Sequence, residues 1–101
     1  MIQAAFYYGA DETSMTLTGH SEMNPGNDIV CAAASFAFQQ LLFWILDKDI
    51  RSVRFCNRSG NGTVATTNQG FVPLYQFTEN GLRSLASSYP EYISVVVTAA
   101  E

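Results

Sequence analysis

Residues 19–46 read GHSEMNPGNDIVCAAASFAFQQLLFWIL, and the fold turns on how this stretch divides. Asn24-Pro25-Gly26-Asn27 is turn material, because proline presets φ and Gly and Asn tolerate left-handed geometry. Asp28 then stands where a helix N-cap belongs, its carboxylate able to accept the orphan N–H of Val30 or Cys31. A long apolar helix follows, from Asp28 to about Leu46. Cys31 occupies its third position, in the first turn. A thiol there feels the positive end of the helix dipole, which favours the thiolate. Asp28 opposes this, since one negative charge disfavours another nearby. His20, the only histidine in the chain, is the neighbour that can carry a proton near neutral pH and tip the balance.

The helix is apolar on nearly every side. At 100° per residue, Val30, Ala33, Ala37, Leu41 and Trp44 form the stripe expected to face a sheet. Cys31, Ser35 and Gln39 make a narrow polar stripe elsewhere. Leu42, Phe43 and Leu46 would then be exposed in a monomer, so a homodimer or a second covering layer is expected. Residues 29–46 carry no charge, which raises a membrane span. Ser35, Gln39 and Gln40 interrupt the run and strands flank it, so no membrane is expected.

Working outward, Ile2 to Tyr8 is rich in β-formers and Ser14 to Thr18 alternates, with Met15 and Leu17 on one face. The turn between them, residues 9–12, makes this a hairpin that delivers Gly19 and His20 at its end. Beyond Asp47-Lys48-Asp49, Ser52 to Asn57 alternates, with Val53 and Phe55 on one face and Cys56 on the other. A turn over residues 58–62 and a return strand from Thr63 to Thr67 give a second hairpin. Pro73 to Tyr89 has Leu74, Leu82, Leu85 and Tyr89 at helical spacing. Gly81 weakens its middle, and Thr78 offers an alternative cap. Pro90 stops it. Tyr92 to Thr98 is a near-continuous apolar run, as in a central strand. The order ββαββαβ predicts an α+β fold, a two-layer sandwich of two helices on a mainly antiparallel sheet.

Composition narrows the function. The 101 residues fit one domain, and the apolar fraction of 48% against 14% charged predicts extensive burial. A net charge of −4 with five Lys and Arg argues against a nucleic-acid partner. Two cysteines make no disulfide framework, so a reducing cytoplasmic setting is the default reading. No signal peptide is read. One His and two Cys are too few for a zinc site without carboxylate help, so no metal or cofactor is expected.

Gly19-His20, a glycine-containing loop, and Asp28-Ile29-Val30-Cys31-Ala32-Ala33 followed by Ser35 resemble the signature of the ribosomal-processing cysteine proteases. Leu85 and Tyr89-Pro90-Glu91-Tyr92-Ile93 are similar to that family's closing helix and strand. The resemblance covers most of the chain in element order and is concentrated, residue by residue, in these two places. It implies a cytoplasmic homodimeric protease that acts on a protein substrate. Such enzymes remove the N-terminal extension of large-subunit ribosomal protein L twenty-seven, cutting after a pair of phenylalanines. It also implies a catalytic dyad of His20 and Cys31. Two departures stand out: Ser21 follows the histidine where the family usually has Ala, and the loop from His to Cys is one residue shorter, with Pro25 inside it. Both bear on substrate fit or point to another target, such as a phage structural protein.

The chemistry needs a thiolate and a proton shuttle together. Cys31 would attack the scissile carbonyl while His20 takes the thiol proton and returns one to the leaving amine. First-turn N–H groups would meet the oxyanion. Asp28, Ser35 and Gly19 are supporting candidates, and the loop from Ser21 to Asn27 is the natural lid. The aromatics on and around the helix would suit a Phe-Phe substrate. Blander readings exist: a cysteine in an apolar helix is usually a small buried hydrophobe, Ser35 can bond its own helix, and Cys56 reads as structural. Two other classes stand beside the protease, a catalytically inert dimeric interaction module and a redox protein using Cys31 with Cys56. The second requires Cα atoms within about 7 Å.

Overall fold

A computed structural model describes residues 1–20 and 28–100. Five strands and two helices follow one another as β1 (Ile2–Tyr8), β2 (Thr13–Thr18), α1 (Ile29–Asp49), β3 (Val53–Arg58), β4 (Asn61–Thr66), α2 (Val72–Ser88) and β5 (Ile93–Ala99). The sheet order is β3-β4-β2-β1-β5, antiparallel except where β5 runs parallel to β1. This is the predicted α+β architecture. Both helices are crossovers, α1 from β2 to β3 and α2 from β4 to β5, and both strand pairs so joined run parallel, an arrangement that requires a long connection.

Strand register follows from period-2 alternation. Phe6 faces Met15, Met15 faces Val64, and Val64 faces Phe55 across successive pairs. Phe6, Met15 and Val64 of that row are buried in the core, while Phe55 on the edge strand is exposed. The alternate row, Ala5, Thr16, Thr63 and Cys56, occupies the opposite face. Thr16 and Thr63 share a hydroxyl contact there at 3.4 Å. The core gathers Ile2, Ala4, Phe6, Met15 and Val64 from the sheet with residues of both helices. Tyr75 is fully buried, and its hydroxyl donates to the Val64 carbonyl at 3.0 Å, tying α2 to the centre of the sheet.

The stripe of α1 that meets the sheet is Val30, Ala34, Phe38, Leu41, Leu42 and Ile45. This corrects the predicted stripe: Ala33 and Trp44 are exposed, Ala37 is half-buried, and Leu42 lies inside. In a helix apolar all round, periodicity gives no preference, and tertiary fit decides. Here Phe38 settles over Gly62 of β4, where an added Cβ would stand 2.7 Å from the ring. Phe43 is exposed, as expected for a lone chain. The segment Ile29–Ser52 is long and apolar enough to cross a membrane, with a mean hydropathy of 1.9. In this fold one side of it packs into the core.

Four further expectations are corrected. β5 is an edge strand and not a central one. Its inner residues Ile93 and Val95 pack on the core while Val96 and Val97 stay partly exposed, so an apolar run did not signify two covered faces. Thr78 does not cap α2, which starts at Val72 with Pro73 in its first turn. Thr78 is buried, and its hydroxyl donates to the Leu74 carbonyl one turn back. The second hairpin is tighter than predicted. Arg58 pairs with Asn61, which leaves a two-residue turn of Ser59 and Gly60. The α1 helix also runs past the expected Leu46 and ends at Asp49, with the charged Asp47-Lys48-Asp49 segment as its last turn.

Candidate active site

One end of the sheet brings four chain segments together. Thr18, the last residue of β2, pairs with Gln3 on one side and Asn61 on the other. The ladder continues one step further, with Gly19 N–H donating to the Gly60 carbonyl at 3.0 Å. Gly19 then turns the chain at φ +88°, a left-handed conformation that L side chains rarely adopt. The Met1 carbonyl lies against the position a Cβ there would take. This turn sets His20 at the surface, where its ring meets Gly60.

The start of α1 supplies the thiol. Asp28 is the N-cap, and its Oδ1 accepts the Cys31 N–H at 2.8 Å. The Asp28 carbonyl accepts the Ala32 N–H at 3.1 Å. This is the predicted cap, resolved in favour of Cys31 over Val30. The cap fixes the backbone of Cys31, whose side chain is half-buried. Ser35 and Gln39 follow at one and two turns, carrying a polar line away from the thiol along the helix.

Cys31, Ser35, Gln39, Gly19, His20 and the turn over residues 57–62 wall a single cleft of about 400 Å³. Ile2, Leu17 and Phe38 form its apolar floor. Residues from β2, α1 and the second hairpin thus meet around one space, with the Cys31 thiol and the His20 imidazole both in its lining. Gly19, His20, Cys31 and Ser35 are brought together. Asp28 stands outside the lining and acts through the backbone of the first turn. The predicted lid, Ser21–Asn27, lies outside the described residues.

The hairpin wall, with Asn57, Arg58 and Gly60, was not singled out from the sequence. The only available signal was the glycine pair at 60 and 62, which marks a turn but not what the turn faces. Arg58 is the charged side chain among the described residues lining the cleft. The lining is more polar than the Phe-rich helix suggested, because Phe36, Phe43 and Trp44 point elsewhere into solvent.

Cys56 takes no part. It lies on the sheet face away from α1, where its thiol points to the Asn61 carbonyl at 3.8 Å. Both cysteines are free, and Cys56 is absent from the cleft lining that holds Cys31. Among the described residues, no three His, Cys, Asp or Glu side chains gather where a metal ion would bind.

The family model for cysteine protease Prp matches residues 1–94. No curated protein matches the chain. Among solved structures, the ribosomal processing protease Prp from S. aureus with a covalently linked product peptide superposes with a TM-score of 0.82 at 21% identity, covering 96% of this chain and 99% of that one. The same S. aureus protease with a substrate peptide gives a TM-score of 0.78 at 20% identity, over 96% and 99% of the two chains. A Streptococcus mutans protein gives 0.75 at 24% identity, over 99% and 96%. At these identities the structures establish a common fold.

Proposed function

Because the chain belongs to the cysteine protease Prp family, we propose that it is an endopeptidase working by a dyad of Cys31 and His20. The observation that carries this reading is the shared cleft. A first-turn cysteine from α1 and the chain's one histidine from the end of β2 open onto the same space.

The Cys31 thiol proton passes to His20 as Sγ bonds to the scissile carbonyl carbon. The tetrahedral adduct collapses to a thioester as the C–N bond breaks, and His20 returns the proton to the leaving amine. Water, deprotonated by His20, then attacks the thioester and frees Cys31 with the acid product. The Cys31 N–H is held by Asp28 and the Ala32 N–H by the Asp28 carbonyl. The mechanism assigns the oxyanion to backbone N–H groups at the start of α1. Asp28 keeps the turn in place, and Ser35 and Gly19 support the thiol and the histidine.

The target proposed is the N-terminal extension of ribosomal protein L twenty-seven, cut after paired phenylalanines. The S. aureus relative is a ribosomal processing protease seen with substrate and product peptides. The polar wall with Arg58 favours a second reading, in which the same chemistry acts on another protein such as a phage structural protein. We place the enzyme in the cytoplasm as a homodimer. The exposed Phe36, Phe43 and Trp44 on α1 support the dimer, since aromatic surface of this extent is usually covered.

Synthetic peptides test both targets. Cleavage after Phe-Phe that disappears in Cys31→Ala and His20→Ala supports the first. Dyad-dependent cleavage of other peptides, with Phe-Phe peptides left whole, supports the second. Hydrolysis indifferent to both substitutions would refute the dyad.

A further inference from the structure

We propose that Gly60 is the positioning residue for His20, the second hairpin serving as the seat against which the imidazole is held. This rests on the dyad reading and adds a residue to it from a different part of the chain.

Two contacts join the turn to the histidine. The Gly60 carbonyl accepts the Gly19 N–H at 3.0 Å, fixing the backbone one residue before His20. The ring itself then lies on Gly60: an added Cβ would stand 2.7 Å from Nε2, 3.1 Å from Cε1 and 3.5 Å from Cδ2. The ring therefore meets the turn through its tip, where a proton is carried. Gly60 has φ +74°. Among the described residues, the glycines with positive φ are Gly19 and Gly60, and they bracket this one imidazole. The first turns the chain that carries it, and the second leaves the space the ring occupies.

The hairpin wall is well anchored. β3 and β4 pair along their full lengths, and β4 is fully paired to β2 on its other side. Gly62, two residues on, is closed over by Phe38 of the same helix that bears Cys31. One strand end therefore touches both the seat of the histidine and the helix of the thiol, which fixes the relation between them. A side chain at position 60 must move either the ring or the turn. Displacement of a reacting group by about 1 Å can cost on the order of a hundredfold in rate.

The experiment uses Gly60→Asn and Gly60→Ala in the full chain with Cys56→Ser. Asparagine tolerates the left-handed region, so Gly60→Asn keeps the backbone while still placing a Cβ against the ring. Iodoacetamide labelling of Cys31 is followed against pH, beside His20→Ala. The single histidine also gives an unambiguous imidazole proton signal. In the unsubstituted protein it should show a nuclear Overhauser contact to the Gly60 α-protons. Gly60→Asn should move this signal, slow the labelling by about tenfold or more towards the His20→Ala profile, and leave the melting temperature within a few degrees. Absence of the contact overturns the proposal, even if the variants fail to fold. So does Gly60→Asn with an unchanged pH profile beside a His20-dependent parent. If the parent itself labels indifferently to His20→Ala, the dyad falls and the positioning role falls with it.

Discussion

Replacing Asp28 with alanine removes the capping hydrogen bond at the start of a 21-residue helix. The Cys31 N–H loses its 2.8 Å acceptor, and the last helical donor before the ladder begins is left to water. Loss of such a cap costs about 1 kcal/mol. Removing a negative charge from the positive end of the dipole costs roughly a further 0.5 kcal/mol. The sum, about 1.5 kcal/mol, lowers the melting temperature of a domain this size by roughly 6–12 °C. Asp28→Asn separates the two parts, since asparagine caps as well as aspartate and gives up only the charge. It should lose about 0.5 kcal/mol. The first turn also presents the thiol, so Asp28→Ala should slow His20-dependent labelling of Cys31 while Asp28→Asn largely preserves it. Thermal unfolding and iodoacetamide labelling of both variants decide the matter. Asp28→Ala as stable as the parent, or Asp28→Asn as damaged as Asp28→Ala, would refute the capping account.

Other consequences concern packing, charge and assembly. Gly81 is exposed in α2 with open space where a Cβ would go, so Gly81→Ala should raise stability by about 0.5–1 kcal/mol in urea unfolding without altering Cys31 labelling. Burial would raise the Glu79 carboxyl, but hydrogen bonds from Arg83 and Tyr8 outweigh it and hold it below the usual carboxylate range. A depressed acid contributes stability above its unfolded value, lost as pH falls, so Glu79→Gln should flatten the decline below about pH 4.5. Tyr8 is raised by burial and by its bond to Glu79, and Tyr75 by burial and the charge of Glu12. Raised groups stabilise below their unfolded value, so urea midpoints should fall above about pH 10, less steeply in Tyr75→Phe. Phe43→Ser, at a side chain 53% exposed, should shift sedimentation towards monomer while the melting curve of the dilute protein stays in place.

The sequence made the element order legible because turn residues punctuate it, β-formers crowd β1 and alternation holds in β2 and β3. It made the site half legible. Gly19, His20, Asp28 and Cys31 sit in one continuous stretch where cap chemistry and glycine geometry speak locally. The face of α1 was not readable, because a helix apolar on all sides carries no periodic preference until Phe38 finds Gly62 beneath it. Tyr75 was passed over beside the leucines of α2, since its value lies in a hydroxyl reaching a carbonyl eleven residues earlier. β5 misled for a related reason: its outer valines remain partly exposed at the edge of the sheet. The cleft wall from Asn57 to Gly62 depends on strand order, and β4 lies beside β2 only because α1 carries the chain across the sheet.

The central claim is that His20 activates Cys31, and the labelling rate of Cys31 against pH tests it most directly. The comparison is between the Cys56→Ser protein and the same protein with His20→Ala, each with and without a Phe-Phe peptide. The account predicts fast labelling near neutral pH that slows on the order of a hundredfold without His20, and protection by the peptide. Labelling that is slow, indifferent to His20 and unchanged by any peptide would contradict it.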